Sequence, residues 1–260
     1  MTVAIEKKRI PPEALIVENG IGCDDYNKIA AQFCELGAGI TGNMINAGLI
    51  KPEHSVLDVG CGLGRLARPL IKYLEKGSYV GLDTTKSSVE WCVDEYSDVP
   101  NFDFIFADVF STNYNPESKV NASEYQFPLQ DESFDFVWST SLFTHLVFED
   151  FDNYLSEMAR VMKPGAKCWN TYLLLDSVAM ELIDSLNAKN TRHKMPHEVH
   201  GGRVRDIDNP ESQIALYENM VVDAHLKHGL EIEDIRYGPW SGRQYDVRAG
   251  GQDVIIAVKK

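Results

Sequence analysis

The rhythm of apolar and polar positions changes at residue 55. Before it, Tyr26 to Leu36 and Ile40 to Leu49 place apolar residues near helical spacing, and Lys51-Pro52 closes the second stretch. From there short apolar runs alternate with amphipathic ones. Ser55 to Val59 reads as a buried strand and Arg65 to Leu74 as a helix carrying Pro69, closed by Gly77. Tyr79 to Asp83 is a second strand, and Thr84 to Tyr96 a helix that Thr84 or Thr85 can cap. Phe102 to Ala107 and Phe134 to Ser139 are further strands, separated by a polar, turn-rich stretch. Phe148 to Met162 is an amphipathic helix stopped at Lys163-Pro164-Gly165, and Cys168 to Leu175 is a fifth strand.

The end of the chain departs from this alternation. Glu211 to His228 reads as a helix stopped by Gly229. Leu230 to Tyr237 and Asp253 to Val258 have only a loop between them, so they should pair antiparallel. The expected fold is α/β: a doubly wound, mostly parallel seven-stranded sheet with helices on both faces and a C-terminal antiparallel strand. One domain is expected over 1–260. It comprises a helical cap (1–54), a core (55–175), an inserted segment (176–210), and a terminal helix with hairpin (211–260).

Chemistry collects at the strand ends. Val56-Leu57-Asp58-Val59-Gly60-Cys61-Gly62-Leu63-Gly64-Arg65 runs from a strand through a glycine-rich turn towards a helix. Such a turn lets a ligand approach backbone N–H groups closely, and nicotinamide and flavin enzymes share it. Asp58 narrows the choice, because a carboxylate before the first glycine suits a cationic amino group and sits badly beside a pyrophosphate. Asp83, 19 residues beyond Gly64, can accept both hydroxyls of a ribose. Asp108 can receive an exocyclic amine, and Val109 can offer a backbone N–H to an adenine ring.

Taken together, these residues resemble the class I S-adenosylmethionine (SAM)-dependent methyltransferases. The resemblance is close over Ser55 to Leu175 and looser over the hairpin. It includes Phe134-Asp135-Phe136-Val137-Trp138-Ser139 and Arg160-Val161-Met162-Lys163-Pro164-Gly165, where that family often has L-K-P-G-G. It implies SAM as cofactor, with S-adenosylhomocysteine as by-product. Asp58 and Gly60 would face the methionine part, Gly62 and Gly64 would shape the turn, and Asp83 would hold the ribose. Asp108 and Val109 would hold the adenine, and Ser139 would line the site behind the methionine. Cys61, Arg65 and Thr84, adjoining these positions, join the candidate cofactor contacts. Two rivals stand beside this reading: a nicotinamide-dependent oxidoreductase, and a non-catalytic partner subunit with the same fold.

Missing motifs narrow the acceptor. After the fourth strand the chain reads Ser139-Thr140-Ser141-Leu142, not the N/D/S-P-P-Y/F run of the amino-methylating nucleic-acid enzymes. The paired glutamates of the arginine methyltransferases are absent, and so is the strand-end acid of the metal-dependent catechol type. A small-molecule acceptor and no catalytic metal are expected. His145, just past the fourth strand, can serve as a general base; alternatively it caps the next helix or orders the pocket. Asn187 to Arg205 is the expected lid, with Gly201-Gly202 as hinge. Arg192, His193, His197 and Arg203 are its candidate contacts to an anionic or strongly polar acceptor; a solvated loop is the plainer alternative. His193, His197 and His200 also invite a metal reading, which Pro196 and the lack of an accompanying Cys disfavour. In the terminal loop Trp240 and Arg243 could recognise substrate, or Trp240 could pack inward.

The totals agree. A formal net charge of −14 over 260 residues disfavours nucleic acid as partner. Five scattered cysteines without a C-x-x-C pair argue against a disulfide framework. The opening residues lack the apolar run of a signal peptide, and no apolar stretch is long enough to span a membrane, so a cytoplasmic protein is expected. Composition does not give an oligomeric state.

Overall fold

The computed structural model describes residues 8–19, 25–186, 194–244 and 250–260. The chain folds as two units, residues 1–107 and 108–260.

In the first unit, helices α1 (Glu13–Glu18) and α2 (Tyr26–Asn46) precede strand β1 (Ser55–Val59). The two helices expected between Tyr26 and Leu49 are one, begun by the Asp25 side chain, which accepts the Asn27 and Lys28 amides. Helix α3 (Ala67–Leu70) is shorter than the expected Arg65–Leu74. Pro69 accounts for the later start, because its ring has no N–H and a helix running through it from Arg65 would clash with the Arg65 carbonyl four residues back. That carbonyl meets Gly37 of α2 instead, where an added Cβ would lie 2.2 Å from the oxygen. Then come β2 (Ser78–Asp83), α4 (Lys86–Glu95) and β3 (Phe102–Phe106). β1 pairs parallel with β2, and β2 with β3. Asp58 lies opposite Gly81, and Asp83 opposite Phe106.

The second unit holds β4 (Phe134–Ser139), α5 (Phe148–Val161) and β5 (Met162–Tyr172), with β4 and β5 parallel. The expected stop at Lys163-Pro164-Gly165 lies inside β5. Phe134 pairs with Met162 and Phe136 already with Lys167, so these residues form an excursion from the ladder, with Gly165 at φ 78°. After β6 (Leu174–Leu175) and α6 (Ser177–Leu186) comes a second sheet that the sequence pattern does not suggest. Its strands are β6, β7 (His197–Val199), β8 (Gly202–Val204) and β9 (Ile214–Tyr217), in the order β6-β9-β8-β7. The helix expected from Glu211 therefore begins later, as α7 (Glu218–Lys227), because Ile214 to Tyr217 is drawn into this sheet. Strands β10 (Leu230–Arg236) and β11 (Asp253–Lys259) form the expected antiparallel pair, and β11 also runs antiparallel to β5. The main sheet is seven-stranded and mostly parallel, with its C-terminal strand antiparallel, as expected. Among the described residues, no helix is long and apolar enough to cross a membrane.

Candidate active site

In the first unit the chain leaves β1 through a turn built on three left-handed glycines. Gly60, Gly62 and Gly64 have φ of 80°, 51° and 67°, which other L-residues adopt only at a cost. Gly60 and Cys61 donate their amides to the Leu82 carbonyl at 2.7 and 3.2 Å, tying the turn to β2. The glycines differ in surroundings. A Cβ on Gly64 would stand 3.2 Å from the Tyr96 hydroxyl, whereas one on Gly62 would meet nothing within 4 Å. Gly62 therefore leaves a cradle that a side chain would fill. The sequence pattern missed Gly81, where a Cβ would lie 2.7 Å from Cys61 Sγ; the turn can pack against β2 only because that position is bare.

Asp83 closes the other side of the turn. One carboxylate oxygen accepts the Gly62 amide at 2.7 Å and the other the Thr85 amide at 2.8 Å. Burial raises its pKa above the ordinary value, and the backbone amides of Thr85, Gly62 and Thr84 pull it back. Asp58 has no exposed surface; its Oδ2 accepts the Tyr79 hydroxyl at 2.8 Å. Half-buried Arg65 has its pKa lowered by burial, an effect the Asp58 charge opposes. Cys61 is buried, and burial with neighbouring Asp83 pushes its thiol pKa well up, so it stays protonated.

In the second unit, exposed Asp108 and buried Val109 follow the end of β3. Asn115 clamps them, donating to Asp108 Oδ1 and to the Val109 carbonyl, both at 3.1 Å. Nothing in the polar 110–132 stretch singled Asn115 out. Ser139, at the end of β4, is fully buried and donates to Asn170 Oδ1 at 2.9 Å. Two residues on, Ser141 takes φ 59°, a strained conformation for a non-glycine, held by its amide donating to Thr171 Oγ1. Thr144 returns a bond to the Ser141 carbonyl, and His145 follows. His145 Nδ1 lies 2.8 Å from the Glu211 carbonyl, which can only accept, so Nδ1 carries the proton and Nε2 is the basic nitrogen. Burial lowers the pKa of the ring, keeping it neutral at pH 7. Glu211 is itself fixed, its carboxylate accepting Ser111 Oγ, the Thr112 amide and Thr112 Oγ1.

Residues 57–169 match the methyltransferase domain family. Over that span the chain carries a methyltransferase domain of the class I, SAM-dependent kind. Its cofactor is SAM, and the nicotinamide alternative falls away. The chain is 27% identical over 183 residues to phthiotriol/phenolphthiotriol dimycocerosates methyltransferase 1 of Mycobacterium ulcerans, covering 70% of this chain and 59% of that one. It is 35% identical over 71 residues to malonyl-[acyl-carrier protein] O-methyltransferase 1 of Ilyobacter polytropus, 27% of this chain and 26% of that one. The matches thus span less than two thirds of these relatives' lengths. In fold it is similar to a SAM-dependent methyltransferase of Methanosarcina mazei, with TM-score 0.54, 20% identity, and 83% and 96% of the two chains covered. It is similar also to geranyl diphosphate methyltransferase in complex with SAM, with TM-score 0.52, 12% identity, and 86% and 85% covered.

On the acceptor side, the methyltransferase's expected contacts separate. Arg192 and His193 lie outside the described residues. Residues 197–204 are a β-hairpin that turns at His200-Gly201, and Gly202, expected as part of a hinge, opens β8 opposite Val199. A Cβ would fall 2.4 Å from Phe148 at Gly201 and 2.1 Å from the Ala215 carbonyl at Gly202. Arg203 is not free to receive an anion, because Asp184 at 3.0 Å and Glu198 at 3.4 Å already hold it. His197 is exposed, and His200 bonds to Glu149 at 2.6 Å. Trp240 packs inward, 3% exposed, and its indole N–H donates to buried Asp253. Arg243 pairs with Asp176 and lies 4.4 Å above the Tyr237 ring.

Proposed function

We propose that this methyltransferase carries the methyl group of SAM to a hydroxyl, carboxyl or amine of a small molecule, with His145 rather than a metal ion removing the proton where the acceptor is a hydroxyl or an ammonium. The observation that carries the reading is the fixed tautomer of His145. The Glu211 carbonyl holds Nδ1–H, and the depressed pKa leaves Nε2 able to accept at neutral pH.

The residues of the first unit fit the cofactor. The open face at Gly62 and the half-buried Asp83 carboxylate suit a nucleoside with vicinal hydroxyls, and Arg65, Cys61 and Thr84 border the same turn. When bound, SAM supplies an electrophilic methyl carbon on a sulfonium, a good leaving group. The glycine turn and Asp83 hold and orient it. Asp58 acts from within the turn, through Tyr79 and the charge of Arg65. In the second unit, the sequence resemblance assigns Asp108 and Val109 to the adenine; Asn115 fixes both. Ser139, being buried, shapes the wall rather than touching the cofactor. His145 takes the acceptor's proton at Nε2, and positioning supplies the remainder of the rate.

A small acceptor is supported by relatives named for dimycocerosates and for malonyl-[acyl-carrier protein], the latter an O-methyltransferase. The net charge of −14 argues against nucleic acid. The test is a screen of small hydroxyl, carboxyl and amine compounds with methyl-labelled SAM, alongside RNA and DNA. Label should enter a small molecule, and His145→Gln should lose most of that transfer. Label entering only nucleic acid would overturn the reading.

A further inference from the structure

The first unit has a second candidate site, on a surface the methyl-transfer chemistry does not use. Lys8, Arg9, Arg68 and Lys72 line a hollow of about 230 Å³, with Pro69 and Ile71 as its apolar wall. In a chain of net charge −14, four cations around one hollow are a local reversal of sign. Two carboxylates answer them. Asp98, 53% exposed, pairs with both Lys8 and Arg9, and Glu95 accepts the Arg9 backbone amide at 2.8 Å. Lys72 is exposed and makes no ion pair with a described residue. Arg68 donates Nε to the Lys8 carbonyl at 3.3 Å and lines the same hollow.

Arg9 is the second observation. Its backbone has φ 63°, a conformation unfavourable for a non-glycine and one that collects where a chain is bent to hold a ligand. Three contacts impose it: the Glu95 bond, the Asp98 pair, and a stack 5.2 Å above the Tyr96 ring. Its Nε is buried and has no hydrogen-bond partner among the described residues. Pinned in this way, the guanidinium keeps its charge beside the hollow.

We propose that this hollow binds an oxyanion, a phosphate group above all. Arg9 and Arg68 supply fixed positive charge beside the hollow, and exposed Lys72 adds a charge that makes no ion pair with a described residue. The Tyr96 ring under Arg9 also donates its hydroxyl to the Gly64 carbonyl at 3.1 Å.

A free phosphorylated molecule or a lipid headgroup could present this chemistry. The test titrates inorganic phosphate into the whole protein at fixed ionic strength by calorimetry, against chloride, and floats the protein with phosphatidylglycerol or phosphatidylcholine vesicles. Saturable phosphate binding that Lys72→Ala and Arg68→Ala each weaken about tenfold, while Lys86→Ala on α4 does not, supports a site for a free anion. Flotation with phosphatidylglycerol alone, lost in the same variants and competed by phosphate, supports a headgroup site. Should Arg68→Ala fail to fold, Lys72→Glu, at an exposed position, carries the comparison. Phosphate binding no better than chloride with no vesicle preference overturns the proposal. So does binding that survives both Lys72 variants unchanged.

Discussion

The Asp83 carboxylate accepts the Gly62 amide at 2.7 Å, so the acid at the end of β2 holds the glycine turn that follows β1. One side chain thereby shapes the cradle and supplies its charge. The other carboxylate oxygen is occupied by the Thr85 amide, and burial keeps the pKa above its ordinary value.

Gly62→Ala separates shape from stability. At φ 51° an alanine costs about 1–2 kcal/mol in backbone strain, with no clash because nothing lies within 4 Å of the new Cβ. The variant should fold, with a urea midpoint lowered accordingly. It should bind S-adenosylhomocysteine about tenfold more weakly or worse, since the methyl occupies the cradle. Unchanged affinity would place the cofactor elsewhere.

His145→Gln should lower kcat about 10²-fold or more with S-adenosylhomocysteine affinity nearly unchanged. The base works when neutral, so wild-type activity is lost as pH falls through its folded pKa. Burial puts that pKa below 6.5, which places the acid limb of the kcat/KM profile below 6.5. The variant should lack that limb. A wild-type profile in the variant would assign His145 to structure alone.

Asp253 anchors the terminal hairpin. Fully buried, it accepts the amides of Leu174 and Gly238 and the indole N–H of Trp240. Burial pushes its pKa up to about 6 against those three donors. Asp253→Asn turns an NH₂ towards N–H groups and should cost roughly 2–4 kcal/mol in urea unfolding. A loss below the error of that measurement would show these bonds to be dispensable.

His225 gives a pH dependence of defined sign. It is fully buried, its Nδ1–H donates to the Val221 carbonyl, and Tyr172 and His228 are its polar neighbours. Burial depresses its pKa from 6.5 to about 4. The unfolded chain therefore takes up a proton between these values while the folded one does not. Stability present above pH 6.5 falls by up to about 3 kcal/mol as pH drops towards 4. Asp150 and Asp253, both raised to about 6, tilt the curve the other way, so the readout is wild type minus His225→Gln. An equal slope in both proteins would remove His225 as its source.

Strand ends carrying glycine and aspartate were legible because chemistry and backbone geometry demand those residue types together: Gly60, Gly62, Gly64 and Asp83 need no partner elsewhere in the chain to be recognised. The terminal antiparallel strand was legible because the sequence between Leu230 to Arg236 and Asp253 to Lys259 carries no amphipathic run to serve as a crossover helix. The second sheet was not. Ile214 to Tyr217 is a four-residue apolar run next to a true helix, and periodicity cannot separate a strand from a helical turn at that length. Long-range partners were equally hidden. That Arg203 is held by Asp184, or that Trp240 turns in to Asp253, depends on pairings no local pattern encodes. Asn115 was silent because an asparagine in a polar loop looks like any other turn residue.

The central claim, a SAM site built on the glycine turn and Asp83, is tested most directly by calorimetric titration of S-adenosylhomocysteine and of NAD into the wild-type protein and Asp83→Ala. The account predicts saturable, one-to-one binding of S-adenosylhomocysteine to the wild type, weakened at least about tenfold in Asp83→Ala, and no binding of NAD to either. NAD binding without S-adenosylhomocysteine binding, or equal S-adenosylhomocysteine affinity in both proteins, would contradict it.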